Sequence, residues 1–122
     1  MKTAIHLIIY DRQGPLGKTI ARAIQDTSLL VFKNRKMSRI MELVRVKRKA
    51  GFVFVLFIFH EEYELVECAK LNGLNVPTIF APTNKYSYHR LRKMNGIEVM
   101  DVTLDGHLFV AQIMDFLKAN YT

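Results

Sequence analysis

GFVFVLFIFHEE, residues 51–62, is the stretch whose reading decides the fold. From Phe52 to Phe59 every side chain is Val, Phe, Leu or Ile, a run too short to cross a bilayer but long enough for a strand buried on both faces. Such strands belong to parallel sheets, where crossover helices cover both sides and the alternation of apolar and polar residues disappears. His60, Glu61 and Glu62 then stand where the strand leaves the core. In open α/β sheets that carboxyl end is where ligand chemistry is placed.

Upstream, Thr3–Tyr10 carries Ile5, Leu7, Ile8 and Ile9 and stops at Asp11, as a second buried strand would. The turn DRQGPLG leads into Leu16, Ile20, Ala23 and Ile24, the spacing of one helix face, with Lys18 and Arg22 outside. Ser28–Phe32 reads as a short strand, and Met37, Ile40, Met41 and Val44 form a second helical stripe. Downstream, Glu62–Leu71 is predicted as a helix with Leu65, Val66 and Ala69 inward, closed by Asn72, Gly73 and Asn75. Pro77–Pro82 is a compact fourth strand, and Asn84–Met94 a helix with Tyr88 and Leu91 inward. Ile97–Leu104 contains the fifth strand, and Val110, Ile113, Met114 and Leu117 mark a last helix ending near Asn120.

Strand and helix alternate throughout, which predicts a parallel sheet with right-handed crossovers and helices on both faces. Five of each fit the flavodoxin-like, doubly wound α/β arrangement with strand order 2-1-3-4-5. That order puts residues 51–59 at the sheet centre and Asp11 beside His60 and Glu61.

A chain of 122 residues, half hydrophobic and a quarter charged, suits a single domain over 1–122, with no Pro/Gly/Ser tract or charge block to mark a linker. MKTAIHLIIYD is interrupted by His6, ends at Asp11 and lacks a small-residue cleavage site, so it reads as a strand and not a signal sequence. No membrane segment is expected. Cys68 is the only cysteine, which excludes an internal disulfide or a cysteine metal site and points to a reducing cytoplasm. A net charge of +7 favours acidic partners, nucleic acid or anionic surfaces.

LIIYDRQGPLGKTIARAI, residues 7–24, and PTIFAPT, residues 77–83, resemble the first strand with its acidic end and first helix, and the fourth strand with its hydroxyl residue, of a response-regulator receiver domain of the chemotaxis-regulator type. Element order extends the resemblance over the whole chain. The family implies carboxylates that hold Mg²⁺, an acceptor aspartate ending strand three, a hydroxyl after strand four and a lysine ending strand five, the set needed to stabilise and read out a transferring phosphoryl group. Carried over by position, Asp11 matches the second acid, but Tyr10 stands at the first. Phe59, His60 or Glu61 fall at the acceptor, Thr83 can serve as the hydroxyl, and Met100 or Asp101 falls at the lysine. The resemblance therefore implies a degenerate receiver pocket of Asp11, His60, Glu61, Thr83 and Asp101, with no aspartyl phosphorylation. It implies a non-enzymatic, cofactor-free regulatory or transcriptional module of a bacterial cytoplasmic protein, acting on a protein partner or a second copy of itself, and suited to be the amino-terminal part of a longer regulator.

Other readings of single stretches stay open. GPLGKT, residues 14–19, ends like a phosphate-binding loop between a strand and a helix, so that Gly14, Gly17, Lys18 and Thr19 could hold a phosphate or nucleotide. Arg12 stands where the full pattern needs glycine, Pro15 removes one N–H donor, and a tight turn before a proline-started helix explains the same letters. Asp11, Glu61 and Asp101 could bind a divalent cation or could be caps and rim residues. His60 is a lone strand-end histidine, as fitted to a rim hydrogen bond as to catalysis. Arg35, Lys36, Arg39 and Arg45 on the second helix, and Arg90 and Arg92 beside Tyr86 and Tyr88 on the fourth, could contact nucleic acid or a protein partner. Solvated basic helices are the account that the sequence favours.

Overall fold

The strands and helices follow from where the apolar periodicity begins and stops. A computed structural model describes residues 4–24, 29–102 and 106–120. Its elements are β1 (Ala4–Asp11), α1 (Pro15–Ala23), β2 (Leu29–Asn34), α2 (Met37–Arg48), β3 (Gly51–Phe59), a 3-10 segment (Glu62–Glu67), α3 (Cys68–Asn72), β4 (Thr78–Pro82), α4 (Lys85–Arg92), β5 (Glu98–Val99) and α5 (Gly106–Ala119). All strand pairs are parallel, in the order β2-β1-β3-β4-β5. This is the doubly wound, flavodoxin-like arrangement, with β3 at the centre.

β3 is buried from Val53 to Phe59, where both its faces are covered, while Phe52 at its start, expected inside, is 50% exposed. Phe54, Leu56 and Ile58 join Leu7, Ile9 and Ile79 in a core closed by Ile20 of α1 and by Phe109, Ile113 and Leu117 of α5. Val53, Val55, Phe57 and Phe59 face the other way, with Ile8 and Tyr10, against Met37, Ile40 and Val44 of α2, Leu71 of α3 and Leu91 of α4. Helices α2 and α4 therefore share a face of the sheet. α2 lies against β1, β2 and β3, α4 lies against β4 and β5, and the 3-10 segment meets β3.

β5, Glu98–Val99, lies within the stretch 97–104 expected to contain it, with Met100 N–H still bonding Phe80 O at 2.8 Å. Two further sequence expectations are corrected. β2 runs on to Asn34, with Lys33 paired to Ile9, past the predicted end at Phe32. The largest correction is at 62–71, where a 3-10 segment and a single turn of α-helix replace the predicted helix. Val66 is 72% exposed and Ala69 is exposed, while Glu64 and Leu71 are buried. The inner positions Leu65, Cys68 and Leu71 recur every third residue, the period of a 3-10 helix. Thr3 and Ser28, which the sequence reading placed in strands, and Thr103 and Leu104, within the stretch expected to contain the fifth, lie outside the described residues.

Candidate functional site

Asp11 ends β1 with its side chain on the α1 side of the sheet. It is 2% exposed, and its carboxylate is fully engaged within the chain. Oδ2 accepts the Gly17 N–H at 2.8 Å; Oδ1 accepts the Gln13 N–H at 3.1 Å and bonds His60 Nε2 at 2.9 Å. An ionised carboxylate only accepts, so the ring nitrogen facing it carries the proton. Burial pushes the Asp11 carboxyl up, but the Gly17 N–H, the His60 ring, the Gly14 N–H and the charge of His60 together hold it below its ordinary value.

A carboxyl depressed on folding contributes stability that is whole above its unfolded value of about 3.9 and is lost as pH falls through the lower folded value. The urea midpoint of the wild type should therefore exceed that of Asp11→Asn at neutral pH, and the gap should shrink on acidification below about pH 4. A gap that stays constant into acid would show that the Asp11 charge does not stabilise the fold.

The geometry around Asp11 accounts for GPLGKT letter by letter. Gly14 has φ +99°, a conformation that side chains rarely adopt, and Pro15 opens the helix at a position that needs no donor. At Gly17 a Cβ would lie 2.9 Å from Asp11 Cβ, so glycine lets α1 approach the carboxylate. Thr19 Oγ1 donates to Pro15 O at 3.0 Å, within its own helix. Only Lys18 of the motif keeps its charged end in solution. The helix end that a phosphate-binding loop would offer to a ligand is directed at Asp11.

Beyond β3 a second buried acid organises the chain. Glu64, 1% exposed, accepts the N–H groups of His60 at 2.9 Å and Glu61 at 2.8 Å on its Oε2, while the Glu61 side chain caps the Glu64 N–H. This reciprocal box starts the 3-10 segment and turns Glu61, itself exposed, away from Asp11. Thr83 is half-buried and extends the ladder by donating its N–H to Phe59 O at 3.1 Å. Asp101 is buried and forms a 2.8 Å ion pair with Lys85. Glu62 takes Arg90 at 2.8 Å and the Ser87 hydroxyl at 3.3 Å, tying the 3-10 segment to α4.

Of the predicted pocket, Asp11 and His60 are bonded together, Glu61 is committed to a cap, and Asp101 belongs to a separate pair. Among the described residues no group of three or more His, Cys, Asp or Glu is placed to hold a metal ion, so Asp11, Glu61 and Asp101 do not form the cation cluster that the sequence allowed. Tyr10, at the first acidic position of the resembling family, is a core residue whose ring lies 5.0 Å from that of Phe57. Its phenol is pushed up by burial and by the Glu67 and Glu64 carboxylates. Burial also pushes up the Cys68 thiol, the direction of less thiolate.

Sequence reasoning missed Glu64 and Lys85. A buried glutamate capping behind another glutamate carries no recognisable capping signature, and Lys85 looked like one more outward cation on α4. The basic positions are dispersed. Lys36 and Arg45 are exposed on α2, Arg39 pairs with Glu42 at 3.3 Å, Arg90 is held by Glu62, and Arg92 lies 5.9 Å over the Tyr88 ring. Tyr86 is 72% exposed. Arg35 belongs elsewhere: its Nε donates to Arg12 O at 3.1 Å across the β1–α1 turn.

No protein-family model matches the chain, and no curated protein matches it. No helix among the described residues is long and apolar enough to cross a membrane.

Proposed function

We propose that the chain is a receiver-like regulatory module of the bacterial cytoplasm that acts by protein contact and carries no aspartyl-phosphorylation chemistry. The observation that supports this most is the Asp11–His60 pair. A receiver-type fold keeps an acceptor aspartate at the end of its third strand, with a lysine across from it. Here β3 ends at Phe59 and is followed by His60, which is bonded to Asp11, and Met100 or Asp101 falls at the place of the lysine, with Asp101 paired to Lys85. Side chains engaged with each other at these positions support a module without that chemistry.

Contact chemistry sits next to this edge. Tyr63 and Val66 on the 3-10 segment and Tyr86 at the start of α4 are 63%, 72% and 72% exposed, and the Glu62–Arg90 pair holds the two elements together. Exposed tyrosines flanked by cations suit a protein partner or a second copy of the chain. Incubation with acetyl phosphate and Mg²⁺ is expected to leave the intact mass unchanged. A gain of one phosphoryl group that disappears in Asp11→Ala or Glu61→Ala would overturn the reading.

A further inference from the structure

We propose that the cleft between the β1–α1 turn and the end of β2 binds a small phosphate-bearing anion. The cleft encloses about 400 Å³ and is lined by Lys18, Lys33 and Arg35, with the amides of Gln13 and Asn34 beside them. That volume lies in the range of small-ligand sites. The cations come from separate elements: Lys18 from α1, Lys33 from β2, Arg35 from the turn that follows it. Among the described residues none of the three forms an ion pair. Asp11 at the floor is already bonded to His60, Gly17 and Gln13. Three cations facing one cleft repel each other, and a multiply charged anion converts that repulsion into attraction.

Arg35 is more than a solvated surface charge. Its Nε is fixed on Arg12 O at 3.1 Å, and its stem passes so close over Gly14 that a Cβ there would lie 3.1 Å from Arg35 Cδ. The two terminal guanidinium nitrogens remain available as a fork suited to phosphate oxygens. The helix terminus contributes little, since the Gly17 N–H goes to Asp11, the Lys18 N–H to Gly14 O, and Pro15 has none. Recognition therefore rests on side chains. Among the described residues no aromatic side chain lines the cleft, so its lining is suited to the phosphoryl group and not to a stacked base. This differs from the phosphate-loop reading of the sequence, because Lys33 and Arg35 do the work assigned there to Gly14, Gly17 and Thr19.

The site does not rest on the regulatory reading, and anion binding without a covalent mass gain is compatible with it. Calorimetric titration with inorganic pyrophosphate, and in parallel with AMP, tests it. Saturable one-to-one binding of pyrophosphate is expected, weakened about tenfold or more by Lys33→Gln and by Arg35→Gln, and unchanged by Arg39→Gln on the outer face of α2. Tighter binding of AMP than of pyrophosphate would assign the ligand to nucleotides, and the reverse to non-nucleotide phosphates. An unaltered melting temperature without ligand establishes that each variant is folded, and Lys33→Gln carries the test should Arg35→Gln disturb the turn. Absence of saturable binding, or equal weakening by Arg39→Gln, would overturn the proposal by reducing the cleft to general surface charge.

Discussion

Asp11→Ala is expected to lower the unfolding free energy by about 3 kcal/mol, since each buried donor left without its acceptor costs about 1–3 kcal/mol. The carboxylate is 2% exposed and is the shared acceptor of the Gly17 N–H, the Gln13 N–H and the His60 ring. Alanine leaves these donors beside a new void at the end of β1, with the Gly17 N–H buried against it. Hydrogen bonds to an ionised acceptor contribute about 1.5–3 kcal/mol each and do not add fully, which bounds the loss from above. Asp11→Asn keeps the volume but not the charge, and should fall between alanine and wild type. Urea unfolding at neutral pH measures all three. A loss below about 1 kcal/mol for alanine would mean that the carboxylate is solvated, contrary to its burial.

Phe57→Ala is expected to cost about 3–5 kcal/mol by emptying the centre of the face covered by α2, α3 and α4. Phe57 is fully buried in the middle of β3, with ring centroids 5.0 Å from Tyr10, 5.9 Å from Phe59 and 6.0 Å from Phe80. Neighbouring strands are held in register by backbone bonds, so the cavity cannot close by a simple shift of one side chain. Phe57→Leu should cost less, since most of the volume is retained. Val66→Ala, by contrast, should change stability by no more than about 0.5 kcal/mol, because Val66 is 72% exposed. A continuous α-helix over 62–71 with Val66 inward would give a core-sized loss there, so the two unfolding curves separate the structures directly.

The sheet was legible because each buried strand writes its own signature. Residues 53–59 are uniformly apolar because both faces are covered there, and that pattern implies parallel neighbours and crossover helices. The helix at 62–71 was misread for a specific reason. Leu65, Val66 and Ala69 satisfy a 3.6-residue period on paper, but Glu64 draws the N–H groups of His60 and Glu61 onto its carboxylate and tightens the turn that follows. In the 3-10 segment Val66 turns outward and Leu65 takes the inner side, which Cys68 and Leu71 continue in α3 while Ala69 is exposed.

The candidate site was half legible. Strand order alone brought Asp11 next to His60. What it did not reveal was that Asp101 would be paired by Lys85 and that Glu64 would draw Glu61 into a cap, because these act through side-chain reach and a backbone turn that leave no periodic trace. Arg35 was grouped with Arg39 and Arg45 as one basic helix. It precedes α2 and its stem passes over Gly14, where a Cβ would lie 3.1 Å from Arg35 Cδ.

A double-mutant cycle on Asp11 and His60 tests most directly whether the carboxyl edge of the sheet is closed by internal charge pairing. Unfolding free energies of Asp11→Ala, His60→Ala and the double variant at neutral pH are predicted to give a coupling energy of about 1–3 kcal/mol. Additive losses, with a coupling within about 0.3 kcal/mol of zero, would contradict it and leave Asp11 as an acid open to other chemistry.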